Sequence, residues 1–363
     1  MNTNLSIPSS ITIGAGSVEK LPELLKPLGH KVLLVHGHRP VEDGLLVKVR
    51  TLLAKADFPF ANMGQILPNP KYGSVKRGIE VARKEGCDII MALGGGSTLQ
   101  CAKAIALGMG SKGDVWDFWT GKKKPKKIYP IASILTNPAS GDELSSSCTI
   151  VRDGKQKTVS FEKLSSSLTI LDPELSLYPH YPTMNQVFVI FTRLFFSWME
   201  STGEDKIHAK ELLKQLIDCA SALDANILDL NARDSLYRIS LEAHLHLPKP
   251  KSQLSSLAEN LAFAVSMPNG SAESALFFCW INELNHGKPD VFEELIDILP
   301  QNENNAQTVN GNDPGAQVLL TSLFEKMGMP LSMRQAGLHL SKKQIKSIAR
   351  NDFEKKFLKK ANA

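Results

Sequence analysis

The sequence predicts an α/β N-terminal half, a mostly parallel sheet with helices on both faces, followed by an all-helical C-terminal half. Three observations carry this. Short, continuously apolar runs alternate with helix-spaced apolar sets through the first half of the chain. One such run ends in Gly94-Gly-Gly-Ser97 before an alanine-rich helical stretch. After Leu171-Asp172-Pro173, strand signals vanish and nearly every long segment carries helical periodicity. The chain has 363 residues, and at roughly 100–200 residues per domain two units are expected: 1–175 as an α/β unit and 176–363 as a helical unit.

Taken in order, Val18, Leu21, Leu25 and Leu28 are spaced for a helix and precede a short strand-like run, Val32 to Val35. Val75, Ile79 and Ala82 repeat at helical spacing after Pro68-Asn69-Pro70 and lead through Gly86 into the run Ile89 to Leu93. A further buried-type run spans Ile131 to Leu135, and Asp153-Gly154 has the chemistry of a hairpin turn. Beyond residue 175, helices are expected over Asn185–Ser201, Asp205–Leu223, Ala232–Leu245, Leu254–Val265, Ser271–Leu284 and Val318–Met327, with Pro248-Lys-Pro250 and Gln301 to Pro314 as loops.

Composition narrows the function classes. A net charge of +5 is mild, and the densest basic cluster, Lys122–Lys124 with Lys126 and Lys127, is broken by Pro125 and has no interleaved aromatics, so no nucleic-acid partner is expected. Cys87, Cys101, Cys148, Cys219 and Cys279 are odd in number and form no CxxC pair, as expected for reduced thiols in a cytoplasmic protein. The polar N-terminus and the lack of an apolar run of about 18 residues argue for a soluble, unprocessed chain without a membrane partner.

The glycine run speaks most directly about a ligand. Without Cβ atoms, Gly94, Gly95 and Gly96 allow a sharp turn and a close approach, and the helix that follows opens with unpaired N–H groups and a positive dipole end. That arrangement suits a phosphate or pyrophosphate. The same residues also suit a strand-to-helix turn that needs only backbone freedom.

Several ordered blocks together resemble the iron-containing alcohol dehydrogenase family, relatives of dehydroquinate synthase and glycerol dehydrogenase. They are Ile11-Thr-Ile-Gly-Ala-Gly-Ser17, the strand at Lys31 to Val35, Pro68-Asn69-Pro70, Gly94–Ser97 with Ala102-Lys103, Pro130 to Thr136 through Ser140-Gly141-Asp142-Glu143, Leu171 to Leu175, Ala232-Arg233, Pro268-Asn-Gly270, and Gly328-Met-Pro330 through Gly337. The resemblance implies a nicotinamide dinucleotide on the first domain, a divalent metal on the second, and a small alcohol, aldehyde or ketone between them, reacting by hydride transfer at a polarised oxygen. Such relatives often associate as dimers, so a homodimer is expected. The chain ends soon after Lys359-Lys360, earlier than the family pattern implies.

Carried over residue by residue, the metal half departs from the family. Its aspartate and three histidines fall on Thr192, Phe196, Glu259 and Asn269. A hydroxyl, a phenyl ring, one carboxylate and one amide do not replace those donors, so no tightly bound metal is expected. Phe196 is expected to fill the cavity with Phe188, Phe191, Leu194 and Phe195.

In the cofactor half, the implied site residues are Gly37, Arg39, Asn69, Gly94, Gly95, Gly96, Ser97, Thr136, Asn137, Ser140 and Lys157. Where NAD-preferring members carry an aspartate after the first strand, this chain has His36-Gly37-His38-Arg39. Loss of that anion and gain of an arginine favour NADP over NAD. The family pattern GGGSxxDxAK has Gln100 at its aspartate here, and the serine of its GTGSE pattern is Asp142. An added carboxylate beside a phosphate-binding turn is unfavourable unless it points away.

Three readings follow. The first is a metal-independent NAD(P)-linked alcohol dehydrogenase-type oxidoreductase in which Thr192 or Arg193, or more remotely His180, supplies the electrophile. The second is a degenerate member that acts as a nucleotide-binding or protein-interaction subunit. The third is a metal enzyme with displaced ligands around Glu259 and His244 or His246.

Overall fold

A computed structural model describes residues 10–137, 139–284, 291–299 and 315–362. The expected loop Gln301–Pro314 lies outside the described residues. The chain divides into two units, Met1–Leu177 and Tyr178–Ala363.

In chain order, unit one runs β1 (Ser10–Ile13), α1 (Leu21–Leu25), β2 (Val32–His36), α2 (Arg39–Glu42), α3 (Leu45–Lys55), β3 (Phe60–Met63), α4 (Tyr72–Glu85), β4 (Ile89–Gly94), α5 (Gly96–Met109), β5 (Ile131–Leu135), β6 (Ser147–Arg152), β7 (Lys155–Ser160) and β8 (Leu168–Leu171). Six strands form one sheet in the order β1-β8-β5-β4-β2-β3, and each neighbouring pair is parallel. Every residue of β2, β4, β5 and β8 is buried, as continuous apolar strands require when both faces are covered. Val32, Leu34, Ile89, Met91, Leu93, Ala132 and Ile134 share one face with Leu21 and Leu25 of α1 and Val49 and Leu53 of α3. Strand alternation sends Ile90 and Ala92 to the opposite face, and α5 packs against β4.

The strand order places a switch point. From β2 the chain steps outward to β3, then returns to β4 on the other side of β2, so successive crossovers leave in opposite directions. A crevice opens at such a reversal beyond the carboxyl ends of the two strands. Leu93 of β4 lies opposite His36 of β2 at that edge. The expected hairpin forms as β6 and β7, with Asp153 (φ 52) and Gly154 (φ 71) both left-handed as a two-residue turn demands. The strands β1, β3 and β8 are additions to the three runs that apolar patterning identified.

Unit two contains α6 (His180–Glu200), α7 (Gly203–Ala225), α8 (Leu230–His246), α9 (Leu254–Val265), α10 (Asn269–Leu284), a 3-10 segment (Val291–Ile298), α11 (Ala316–Lys326), α12 (Lys342–Ile348) and α13 (Asp352–Ala361). The helix α6 begins five residues before the expected Asn185, because its first turn carries His180, Tyr181 and Pro182 rather than the apolar spacing that betrays a helix. Its centre builds the core of the unit. Phe188, Phe191, Phe195 and Phe196 meet Phe277 of α10 at ring separations of 5.9, 5.4, 5.0 and 6.1 Å, with Phe324 of α11 4.6 Å from Phe188. Edge-on ring packing of this kind adds to the burial of large apolar surface. Among the described residues, no helix is long and apolar enough to cross a membrane.

Candidate functional site

At the carboxyl end of β4, Gly94 takes φ +133°, a conformation open to glycine and strained for other residues. The chain then turns through extended Gly95 into α5, whose first N–H groups lack partners inside the helix. Neighbouring segments fix this turn. The Thr136 amide, just past β5, donates to the Gly94 carbonyl at 3.1 Å. The Asn69 amide donates to Ser97 Oγ at 3.3 Å, with Asn69 itself at a positive φ of 56°. The Ala139 amide donates to Asn137 Oδ1 at 3.0 Å, and the Asn137 Cβ lies 3.8 Å from the position a Cβ would take on Gly95. Thus Asn69, Gly94–Ser97, Thr136, Asn137 and Ser140, separated along the sequence, meet at one sheet edge.

Asp142 faces the turn. A Cβ on Gly96 would lie 2.5 Å from Asp142 Oδ2 and 3.5 Å from Ser140 Oγ. The carboxylate is held there by Gln100 on α5, whose Nε2 donates to Asp142 Oδ1 at 2.9 Å while its Oε1 accepts from the Thr149 amide at 2.8 Å. The Asp142 amide donates to Ser140 Oγ at 3.4 Å. Lys103, fully buried on the same helix, donates to the carbonyls of Asp142, Ser145 and Ser147 at 2.7, 2.6 and 3.0 Å. Burial lowers the Lys103 pKa and raises that of Asp142, with Lys103 opposing the latter shift. Burial also pushes neighbouring Glu143 up to about 7, with the charge of Asp142 adding to it.

Gly37 and Arg39 sit just past β2, across the switch point from the glycine turn. A Cβ on Gly37 would stand 3.1 Å from the Ile66 carbonyl, so the strand end leaves little room for a side chain. The Arg39 Nε pairs with Asp43 Oδ2 at 2.8 Å on the same short helix, and its Nη2 donates to the Leu177 carbonyl at 3.4 Å. Lys157 lies on β7 with its ammonium 5.8 Å from the Trp116 ring. Its neighbour Gln156, which sequence reasoning missed, points to the other side of the strand and donates to Asn69 Oδ1 at 3.4 Å.

The four positions the resemblance assigns to metal ligands all lie in unit two and do not form a donor set. Thr192 is fully buried, and its Oγ1 hydrogen-bonds the Val189 carbonyl at 3.0 Å and the carboxyl of Glu273 on α10. Phe196 is packed among aromatic rings, and Glu259 and Asn269 are exposed. Among the described residues no group of three or more His, Cys, Asp or Glu could hold a metal ion. His244 Nδ1 is bonded to the Ser240 carbonyl at 2.7 Å, and His246 Nε2 approaches Glu242 at 3.9 Å.

Glu273 is a second residue that sequence reasoning missed. It is 3% exposed, and burial pushes its carboxyl up to about 8 against hydrogen bonds from Thr192 and Ser255, with the charge of Glu259 adding to the rise. The usable signal is a lone carboxylate in Ser271-Ala-Glu-Ser-Ala275, a stretch of small side chains that permits close helix contact. Arg193 is committed elsewhere. Its Nη2 donates to the carbonyls of Ala243 and Leu247 at 2.8 and 3.5 Å and its Nε to Ala243 at 3.2 Å, capping the end of α8, and burial lowers its pKa to about 10. His180 Nε2 is bonded to Asp224 Oδ1 at 2.9 Å.

Comparison with known proteins agrees with the fold. A family model described as iron-containing alcohol dehydrogenase matches residues 8–173. A probable NADH-dependent butanol dehydrogenase 1 of Bacillus subtilis is 29% identical over 304 residues, spanning 79% of this chain and 77% of its own. The structure of an NADH-dependent butanol dehydrogenase A from Thermotoga maritima superposes with a TM-score of 0.80 at 23% identity, over 99% of this chain and 92% of that one. A sulfoacetaldehyde reductase from Bifidobacterium kashiwanohense, solved with NAD+, gives a TM-score of 0.80 at 20% identity over 100% and 99% of the two chains. At such identities the structural likeness speaks for the fold.

Proposed function

Since the chain belongs to the iron-containing alcohol dehydrogenase family, we propose that it is an NAD(P)-linked oxidoreductase of small alcohols, aldehydes or ketones that operates without a metal at the family position. The observation that carries this reading is the Gly94–Ser97 turn at the switch point, braced by Asn69 and Thr136. The first N–H groups of α5 would hold the phosphates, and Thr136, Asn137 and Ser140 line the same edge. When bound, the nicotinamide supplies or takes up the hydride. Gly37 and Arg39 favour NADP in this chain, although the relatives above are named for NADH or were solved with NAD+. The donor chemistry of Thr192, Phe196, Glu259 and Asn269 does not fit a divalent ion, so no step is assigned to one.

One observation favours a second reading, a dinucleotide-binding subunit without turnover. All three candidate electrophiles are already engaged, Thr192 by Glu273, Arg193 by the carbonyls that end α8 and His180 by Asp224. The deciding experiment follows NADPH and NADH absorbance over a panel of aldehydes and ketones, with metal content measured on the same protein. Turnover at substoichiometric metal supports the first reading and binding without turnover the second. Activity that requires one equivalent of iron or zinc overturns the metal-free reading.

A further inference from the structure

The carboxylate of Asp142 and any phosphate drawn to the glycine turn seek the same place, the N-terminal end of α5. Asp142 Oδ2 already lies within 2.5 Å of where a Gly96 side chain would begin, so the anion sits against the backbone that a phosphate would approach. It does not hang there loosely. Gln100 clamps Oδ1 at 2.9 Å and is itself held by the Thr149 amide, while Lys103 grips the Asp142 carbonyl at 2.7 Å, so the turn carrying the carboxylate is braced from two positions on α5. We propose that Asp142 is a built-in competitor for the phosphate site, which weakens dinucleotide affinity and makes it depend on pH. The inference rests on the dinucleotide reading given above.

The charge environment supports competition rather than mutual accommodation. The groups that face Asp142 are the Lys103 ammonium from α5, the Glu143 carboxyl from its own turn and the Cys148 thiol from β6; Gln100 and Ser140 contribute neutral hydrogen bonds. The Lys103 ammonium is directed to backbone carbonyls of the 142–147 segment, where it neutralises Asp142 in part without presenting a donor to a phosphate. An ionised Asp142 therefore repels a phosphate at short range, and a protonated one does not. Burial moves the Asp142 pKa upward, against the pull of Lys103.

The test measures the Kd of NADPH, and of inorganic pyrophosphate by competition, from pH 6 to 8.5 for the full chain and for Asp142→Asn and Asp142→Ser. Asparagine keeps the shape and the Gln100 contact, and serine restores the residue the family pattern carries. For the wild type, affinity relative to both variants should tighten as pH falls. Both variants should bind NADPH and pyrophosphate about tenfold more tightly at the alkaline end, the size expected when one short-range repulsion is removed, and should keep only the pH dependence that Glu143 and the ligand phosphates supply. Variants that match the wild type in affinity and profile, or bind more weakly, overturn the role of Asp142 while leaving the dinucleotide reading intact. Folded wild type and variants that all fail to bind NADPH and NADH overturn the dinucleotide reading, and this inference with it.

Discussion

Thr192 on α6 and Glu273 on α10 share a hydrogen bond in the interior of the helical unit. Glu273 also meets Ser255 of α9, so one carboxyl joins three helices through two hydroxyls. Thr192, where the resemblance places a metal ligand, is thus part of a hydrogen-bonded cross-link whose first consequence is a dependence of stability on pH. Glu273 titrates near 8 in the folded chain against an ordinary 4.5. A carboxyl whose folded pKa is raised favours the native state through the proton it keeps. That contribution is complete below about pH 4.5 and is lost as pH rises through 8. Urea denaturation from pH 6 to 9 should show stability falling with pH in the wild type and falling less in Glu273→Gln, with Glu143 supplying the residual slope. Glu273→Ala should cost about 1–3 kcal/mol by leaving the Thr192 and Ser255 hydroxyls without their partner. Equal slopes in wild type and Glu273→Gln would remove the cross-link from the account.

Arg193 is a second case in which a candidate electrophile has structural work. Arg193→Lys keeps the charge but cannot reproduce the fork that reaches the Ala243 and Leu247 carbonyls. Thermal denaturation should show a loss of about 1–3 kcal/mol, with the NADPH Kd unchanged. A stable variant that has lost turnover alone would return Arg193 to the chemistry.

Gly94 tests the glycine turn directly. At φ +133° an alanine is strained, and its Cβ would lie 3.3 Å from Thr98 Oγ1. Gly94→Ala should weaken NADPH binding at least tenfold while leaving most of the circular dichroism signal, since the turn lies at the end of β4 rather than within it. Unaltered affinity would mean that the dinucleotide does not use this turn.

The proposed preference for NADP rests on Arg39, which a partly exposed ion pair with Asp43 holds at a cost of about 0–1 kcal/mol to break. Asp43→Ala should raise the affinity for NADPH relative to NADH, and Arg39→Ala should lower it. The quantity to measure is the ratio of the two dissociation constants. A ratio indifferent to both substitutions would show that Arg39 does not contact the 2′-phosphate.

The parts of the fold that were legible are those in which one segment carries its own signal. Val32–Val35, Ile89–Leu93 and Ile131–Leu135 are buried on both faces and read as strands from their apolar continuity alone. By contrast, β3 reads Phe-Ala-Asn-Met, four residues with exposed Asn62 between buried Ala61 and Met63, too short and too mixed to stand out. The site divides in the same way. Gly94–Ser97 announced itself, and the resemblance brought Asn69, Thr136, Asn137 and Ser140 to it. Glu273 and Gln156 did not, because what defines them is a partner 81 or 87 positions away in sequence, and no local pattern encodes such a pairing.

Lys103 grips the 142–147 segment through three carbonyl oxygens and no side chain. Every residue offers the same carbonyl, so this anchor is blind to which amino acids the segment contains. The turn can therefore exchange a hydroxyl for a carboxylate at 142 without losing its seat on α5. Chemistry at the mouth of the site is free to drift while the architecture beneath it stays put.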